Sequence, residues 1–145
     1  MGKLEKTTVS LRITGQSLQP DEITSLLGCR PTRAAKTGDT ISHPNGRTRL
    51  IKTGFWHLRY DAIDAIELDK KIEDLLARLT QDLEAWDHIA RTCRLELFCG
   101  LFMGAWNEGF GLSAELITKL GRRRIELSCD IYGPVDSWEA LSERE

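Results

Sequence analysis

The sequence predicts an α+β domain in which three helices pack on one face of a four-stranded sheet, in the order βαβ–α–βαβ. Four segments alternate apolar and polar residues, which is typical of strands with one buried face and one open face. Three helical segments with recognisable start or stop signals lie between them. A length of 145 residues with 41% hydrophobic content suits one domain with one core.

The strand predictions rest on apolar residues at every second position, with polar residues between them. The alternating residues are Val9, Leu11 and Ile13 in the first strand, Trp56, Leu58 and Tyr60 in the second, Leu95, Leu97, Cys99 and Leu101 in the third, and Ile125, Leu127, Cys129 and Ile131 in the fourth.

The first and third helices have similar boundaries in the sequence. The first begins near Pro20 and ends at Gly28, which supplies a left-handed stop. The third begins after Ser113 as N-cap and ends at Gly121. We expect Leu18 to pack on Ile23, and Leu112 on Ile117, as hydrophobic staples.

A shift of 94 positions superposes Gly15 on Gly109, Leu18 on Leu112 and Ile23 on Ile117. The correspondence suggests two related βαβ halves, and the alternative is two ordinary capped helices that share only cap chemistry. Either way, the layout is related to the ferredoxin-like arrangement, with a possible pseudo-two-fold repeat.

The second helix is predicted as one long element from about Asp64 to Arg91. Asp64 and Glu67 form a capping box in this prediction. An apolar stripe follows at helical spacing, formed by Ile72, Leu76, Leu79, Leu83, Trp86 and either Ile89 or Ala90.

The segment from Gly28 to Trp56 is predicted to be a long functional loop. It contains six basic residues and one acid, Asp39, which gives it a net charge of +5. Residues 61–87 contain nine acids and three bases, which gives that segment a net charge of −6. The loop is a candidate to bind an anionic ligand or an acidic partner, and the alternatives are solvation or docking on the chain's own acidic helix. Nucleic acid is disfavoured as a partner because the basic stretch from Arg30 to Lys52 contains no Phe, Tyr or Trp on which a base could stack. The candidate binding residues are Arg30, Arg33, Lys36, Arg47, Arg49 and Lys52.

The polar face of the predicted sheet is a second candidate surface. Its alternation places acids, bases and aromatic residues on one side, a composition found at protein interfaces and at homodimer contacts. The alternative is a solvated face with cross-strand ion pairs. The candidate interface residues are Arg12, Phe55, His57, Arg59 and Phe98, with Glu96, Phe102, Glu126, Asp130 and Tyr132 on the same parity.

No catalytic site, metal site or cofactor is predicted. Three histidines share no ligand spacing with each other or with the four cysteines. Cys93, Cys99 and Cys129 are expected to be reduced, buried thiols. Cys29 lies outside the predicted strands beside Arg30, an activating neighbour, so a Cys29/His57 pair is the enzymatic hypothesis and the least favoured of the three functions considered.

The chain is expected to be one cytoplasmic domain over residues 1–145, with a core over 7–132 and an acidic tail over 133–145. No apolar run approaches the length needed to cross a membrane, and the N-terminus lacks the apolar segment of a signal peptide.

With these elements placed, the sequence resembles a bacterial family known as domain of unknown function 4279. The resemblance covers roughly Thr7 to Tyr132, and it implies no activity, substrate or catalytic residues. It rests on the order and spacing of Leu18-Gln19-Pro20-Asp21-Glu22-Ile23, Leu27-Gly28, Pro31-Thr32, Gly38-Asp39, Gly54-Phe55-Trp56-His57-Leu58, Leu112-Ser113-Ala114-Glu115-Leu116 and Ile131-Tyr132.

The leading hypothesis is therefore a non-catalytic interaction module that binds an unknown protein through its basic loop and its open sheet face. A domain that binds a small anionic ligand is the alternative, and a Cys/His enzyme comes third.

Overall fold

The computed structural model describes residues 2–4, 6–60 and 67–134 of the chain. Four helices lie in this part: α1 (Pro20–Leu27), α2 (Leu68–Ala77), α3 (Leu83–Ala90) and α4 (Ala114–Arg122). The strands in the same part are β1 (Gly2–Lys3), β2 (Lys6–Gly15), β3 (Arg33–Ala35), β4 (Thr40–Ser42), β5 (Thr48–Leu50), β6 (Gly54–Arg59), β7 (Arg94–Phe102), β8 (Glu108–Gly109) and β9 (Glu126–Tyr132).

The main sheet has five strands rather than the predicted four, in the order β3-β6-β2-β7-β9. Strands β3, β6, β2 and β7 pair antiparallel, and β9 joins β7 in parallel. β1 pairs with β8, and β4 pairs with β5, as separate two-stranded ladders. The predicted α+β class is confirmed, but the predicted counts of strands and helices are wrong.

The extra strand changes how the first half of the chain is connected. β2 and β6 are antiparallel neighbours, so the segment β2–α1–β6 is not the predicted βαβ unit. The strand parallel to β2 is β3, and β6 lies between the two. In the second half β7 and β9 are parallel and adjacent, with α4 between them in sequence. The two halves therefore differ in strand arrangement.

The burial of α1 and α4 also departs from the predicted superposition. Ile23 and Leu27 are the buried residues of α1, and Leu116 and Leu120 are those of α4. Buried positions are therefore 93 residues apart instead of 94. Ile117 is 56% exposed, so its predicted staple with Leu112 does not bury it.

One core lies between the helices and one face of the main sheet. The apolar residues of β2, β6 and β7 that alternation predicted are buried there with residues from all four helices. Trp56 of β6 is fully buried, and its indole Nε1 donates to Thr24 Oγ1 of α1 at 3.0 Å. The buried amine of Lys71 in α2 donates to the Thr7 carbonyl at 2.9 Å. These two hydrogen bonds connect helices to strands inside the core.

The predicted long helix is wrong, because the chain forms α2 and α3 with a break at residues 78–82. Asp82 begins α3 by accepting a hydrogen bond from the Glu84 backbone N–H. The Gln81 amide donates to the carbonyls of Leu76 and Leu79, near the end of α2. Polar side chains thus satisfy backbone groups on both sides of the break. The Asp64 end of the predicted capping box lies outside the described residues, as does the tail from residue 135 onward.

Helix α4 begins as predicted, because the Ser113 hydroxyl accepts from the Leu116 backbone N–H at 3.1 Å. Its predicted end at Gly121 is wrong. The helix continues to Arg122, and the left-handed residue that closes it is Arg124, with φ of 60°. The Ile125 N–H then bonds back to the Leu120 carbonyl at 3.0 Å, which ends the helix.

The segment predicted as one long loop contains β3 and a β4–β5 hairpin. Gly46 turns the hairpin with φ of 81°, and the His43 N–H donates to the Arg47 carbonyl. At the base of the hairpin, the Gly38 N–H donates to the Ile51 carbonyl, and the Ile51 N–H donates to the Asp39 carbonyl. Residues 42–50 are all exposed. The hairpin therefore projects as an ordered element from the end of the sheet where β3 stops and β6 starts.

Two glycine substitutions are expected to have opposite effects on stability. Gly28 has φ of 71°, so Gly28→Ala is expected to destabilise the fold by about 1 kcal/mol. Gly121 lies in the last turn of α4, where Gly121→Ala is expected to stabilise by about 0.5 kcal/mol. A Cβ meets open space at both positions, which isolates the backbone effect. Urea denaturation of both variants checks the signs, and equal signs would contradict this account.

Candidate functional site

The face of the main sheet opposite the core is defined by cross-strand rows of side chains, and we name it the open face. The pairing aligns Arg33, His57, Arg12, Glu96 and Glu126 in one row across all five strands. The rows beside it contain Phe55, Thr14 and Arg94 on one side, and Arg59, Ser10, Phe98 and Ser128 on the other. The register thus places the predicted interface residues on one surface.

The central row is positively charged on one half of the sheet and negatively charged on the other. We call Arg12, Arg33, His57 and Arg59 the basic half of the open face. Within residues 2–4, 6–60 and 67–134, none of these three arginines forms an ion pair with a carboxylate. Their positive charge is therefore not neutralised by the described part of the chain.

The two carboxylates of the acidic half share one cation within the sheet. The Arg94 guanidinium contacts Glu126 at 2.9 Å and Glu96 at 3.1 Å. The Ser128 hydroxyl also donates to the Glu96 carboxylate at 2.9 Å. One guanidinium offsets one of the two carboxylate charges, so most of the unbalanced charge of the open face lies in the basic half, where three arginines have no ion-pair partner among the described residues.

The imidazole of His57 reports the electrostatic environment of the basic half. Burial, followed by the positive charges of Arg12, Arg33 and Arg59, lowers the pKa of His57 from 6.5 to about 4, with Glu96 acting in the opposite direction. The ring is therefore neutral at physiological pH. The part of this shift that comes from the three arginines reflects a positive field, which also attracts anions.

The aromatic rings of the open face already have partners within the chain. The Arg12 guanidinium lies 3.9 Å from the centre of the Phe98 ring. The Phe55 ring contacts the His57 ring at 4.7 Å between centres, and the Arg33 guanidinium lies 5.6 Å from it. Further along, Phe102 stacks on Tyr132 at 4.7 Å. These contacts hold two arginines of the basic half in defined positions.

The six predicted basic residues of the 30–52 segment are divided among three places. Arg33 lies in β3 and belongs to the open face. Arg47 and Arg49 are exposed on the β4–β5 hairpin. Arg30, Lys36 and Lys52 are exposed in the connections. None of the six forms an ion pair in the described part of the chain, so the alternative in which they dock on the acidic helices is not observed there.

The cysteines lie apart from the charged residues of the open face. Cys29 packs against the core cluster on the helix side of the sheet, whereas His57 lies on the open face. The structure therefore separates the proposed Cys29/His57 pair. Cys99 is buried as predicted, and burial raises its pKa to about 12, but Cys93 and Cys129 are partly exposed. All four thiols are free.

The described residues contain neither a metal-binding cluster nor a membrane-spanning helix. No group of three or more His, Cys, Asp or Glu side chains among them is arranged to hold a metal ion. None of the helices formed by those residues has the length and apolar character required to span a bilayer.

A second basic cluster, around Arg123 at the end of α4, was not predicted from the sequence. Arg122, Arg123 and Arg124 lie at the C-terminal end of the helix, where positive charge is favourable without any binding role. Arg123 is in fact 6% exposed, and its guanidinium donates to the side chain of Gln81, 42 positions earlier. No local sequence signal connects these two residues, because tertiary packing brings them together.

The fold and the open face define an α+β domain with a charged, aromatic sheet surface. The family model described as "Domain of unknown function (DUF4279)" matches residues 5–134. The chain therefore belongs to this family, as the sequence resemblance predicted. No curated protein and no solved structure matches the chain significantly.

Proposed function

We propose that this domain is a non-catalytic cytoplasmic binding module that docks an acidic surface of a partner protein on the basic half of its open face. The observation that carries the proposal is the group of three arginines around His57 without a carboxylate partner among the described residues. A complementary acidic surface supplies the missing charge and accelerates association.

The composition and geometry of the open face support a protein as the partner. Protein interfaces are enriched in arginine and aromatic residues. Arg12 is held over Phe98 by stacking, so less side-chain entropy is lost when it contacts a partner. The face also spans five strands, which gives a broad surface instead of a narrow cavity.

Single-stranded nucleic acid is less well supported as the partner. Its bases bind by stacking on the free faces of aromatic rings. On the basic half, the Phe55 ring is in contact with His57 and Arg33, and a guanidinium covers the Phe98 ring.

The hairpin extends the basic surface. It leaves the sheet beside the row that contains Phe55, next to the central charged row. Its exposed Arg47 and Arg49 are thus available to the same partner. Long-range attraction between these charges and an acidic protein weakens with added salt, as expected for exposed groups.

Affinity capture from nuclease-treated host lysate tests the proposal with matched charge variants. The face variant is Arg33→Glu/Arg59→Glu, and the control is Lys70→Glu/Arg91→Glu, which makes the same change in net charge on α2 and at the end of α3. We expect a stoichiometric protein to be captured by the wild type and the control and lost with the face variant. After purification, its dissociation constant is expected to rise at least about tenfold with the face variant.

Two results would overturn the proposal. One is that both double variants lose the same captured proteins, which indicates nonspecific charge effects. The other is that no protein distinguishes the face variant from the wild type. Light scattering on the purified domain identifies the case in which the captured protein is a second copy of the chain.

A further inference from the structure

A cleft of about 380 Å³ lies between α4 and the connection from α2 to α3. Its volume falls within the range of small-molecule sites, roughly 300–1,000 Å³. Gln81 and Leu83 line one wall, and Thr118, Lys119, Arg122 and Arg123 line the other. The cleft is distinct from the open face, since neither α4 nor the α2–α3 connection contributes to the rows of that face.

Arg123 is a buried cation held in a fixed position. One terminal nitrogen donates to Gln81 Oε1 at 2.9 Å, and the other donates to the Lys119 carbonyl at 3.1 Å. Both acceptors are uncharged, and the Nε atom has no hydrogen-bond partner among the described residues. In the part of the chain that the structure describes, Arg123 forms no ion pair. Carbonyls at the end of α4 compensate its charge only in part.

The remaining charges of the cleft increase this imbalance. Lys119 and Arg122 line the same space, against a single carboxylate among the lining residues, that of Glu115. Neither cation forms an ion pair within the described residues. A buried guanidinium next to two further cations is electrostatically unfavourable, and an anion between them offsets this repulsion.

We propose that this cleft binds a small ligand through a phosphate monoester group, held by Arg122, Arg123 and Lys119. Arg122 is exposed, and its planar guanidinium can donate two parallel hydrogen bonds that match phosphate oxygens. Leu83, which is 37% exposed, supplies an apolar wall for the rest of the ligand. This inference is independent of the protein partner proposed for the open face.

Calorimetric titration of the full chain at constant ionic strength tests the cleft, with inorganic phosphate and ribose 5-phosphate as probes. Ribose and succinate are the uncharged and carboxylate comparisons. We expect saturable binding of ribose 5-phosphate, and no saturable binding of ribose. Lys119→Gln/Arg122→Gln is expected to weaken the binding of ribose 5-phosphate at least about tenfold. The control Lys70→Gln/Arg91→Gln removes the same charge elsewhere and is expected to keep the wild-type affinity.

Any of three results overturns the inference. The first is that ribose 5-phosphate gives no saturable heat at about 10 mM. The second is that the cleft variant and the control variant weaken its binding equally. The third is that succinate binds more tightly than ribose 5-phosphate. The cleft variant changes Lys119, which is partly exposed, and Arg122, which is exposed. The test therefore does not require a variant of the buried Arg123 that still folds. Arg33→Glu/Arg59→Glu is expected to keep the wild-type affinity for ribose 5-phosphate, which separates this site from the open face.

Discussion

Trp56→Ala is expected to destabilise the domain by about 3–5 kcal/mol, the largest effect of any single substitution considered for this chain. The ring is fully buried in β6, the second strand of the main sheet, and it packs in the core with α1. Removing it leaves a cavity in a close-packed interior and also leaves the Thr24 hydroxyl without its indole donor. Because domains of this size are stable by only about 5–15 kcal/mol, the unfolding midpoint of the variant is expected at a much lower urea concentration than that of the wild type.

Urea denaturation followed by far-UV circular dichroism measures this effect without relying on tryptophan emission. Thr24→Val separates the hydrogen bond from the packing, with an expected cost of about 1–3 kcal/mol for the unsatisfied indole N–H. Trp106→Ala is the matched control, since Trp106 is 82% exposed and its loss is expected to change stability by at most about 0.5 kcal/mol. Similar costs for the two tryptophans would refute the proposed role of Trp56.

His57 is expected to make the domain less stable as the pH falls from about 6.5 to about 4. Its pKa is about 4 in the folded protein and 6.5 when the side chain is unperturbed, as in the unfolded chain. The unfolded chain therefore takes up a proton in this interval and the folded chain does not. Stability decreases with falling pH wherever the unfolded state binds more protons. The contribution of His57 is thus fully present above pH 6.5 and is lost as the pH falls to about 4.

The full pKa difference corresponds to about 3 kcal/mol, at roughly 1.4 kcal/mol per pKa unit. His57 is only half-buried and its neighbours are accessible to solvent, so we expect a smaller loss of about 1–2 kcal/mol. His57→Gln is expected to remove this part of the pH dependence, measured as the midpoint denaturant concentration at pH 7, 5.5 and 4.5. His43→Gln, in the exposed hairpin, is the control, and a pH dependence unchanged by His57→Gln would exclude the mechanism.

Alternation predicted the long strands, and it predicted the two faces of β2, β6 and β7 correctly because burial on one side imposes a period of two residues. In β9, the edge strand, the predicted burial is wrong, since Leu127 and Ile131 are 41% and 62% exposed. The apolar residues of β2, β6 and β7 are buried, and Arg12, His57, Glu96 and Phe98 share the open face. The start of α1 at Pro20 and its left-handed stop at Gly28 were also predicted, because both depend on local backbone chemistry. Binding roles for the residues of the open face remain predictions.

The missed elements are those with little or no local signal. β3 has three residues, too few to show a period, and it is a strand only because β6 lies beside it. The break between α2 and α3 was missed because Leu79 and Leu83 continue the helical spacing across it. Asp82 was the available signal, since aspartate is a favoured N-cap. The Arg123 cleft was missed because its walls come from distant segments.

The position of β2 in the sheet also has a consequence for the order in which the domain is completed on the ribosome. β2 is synthesised before its partners in β7, which lie between 80 and 96 residues later. At roughly 5–20 residues per second, one edge of β2 waits about 5–20 s for its neighbour to be synthesised. Strand β6 arrives sooner and covers the other edge. A nascent chain that stalls before Arg94 therefore exposes an unpaired strand that can aggregate.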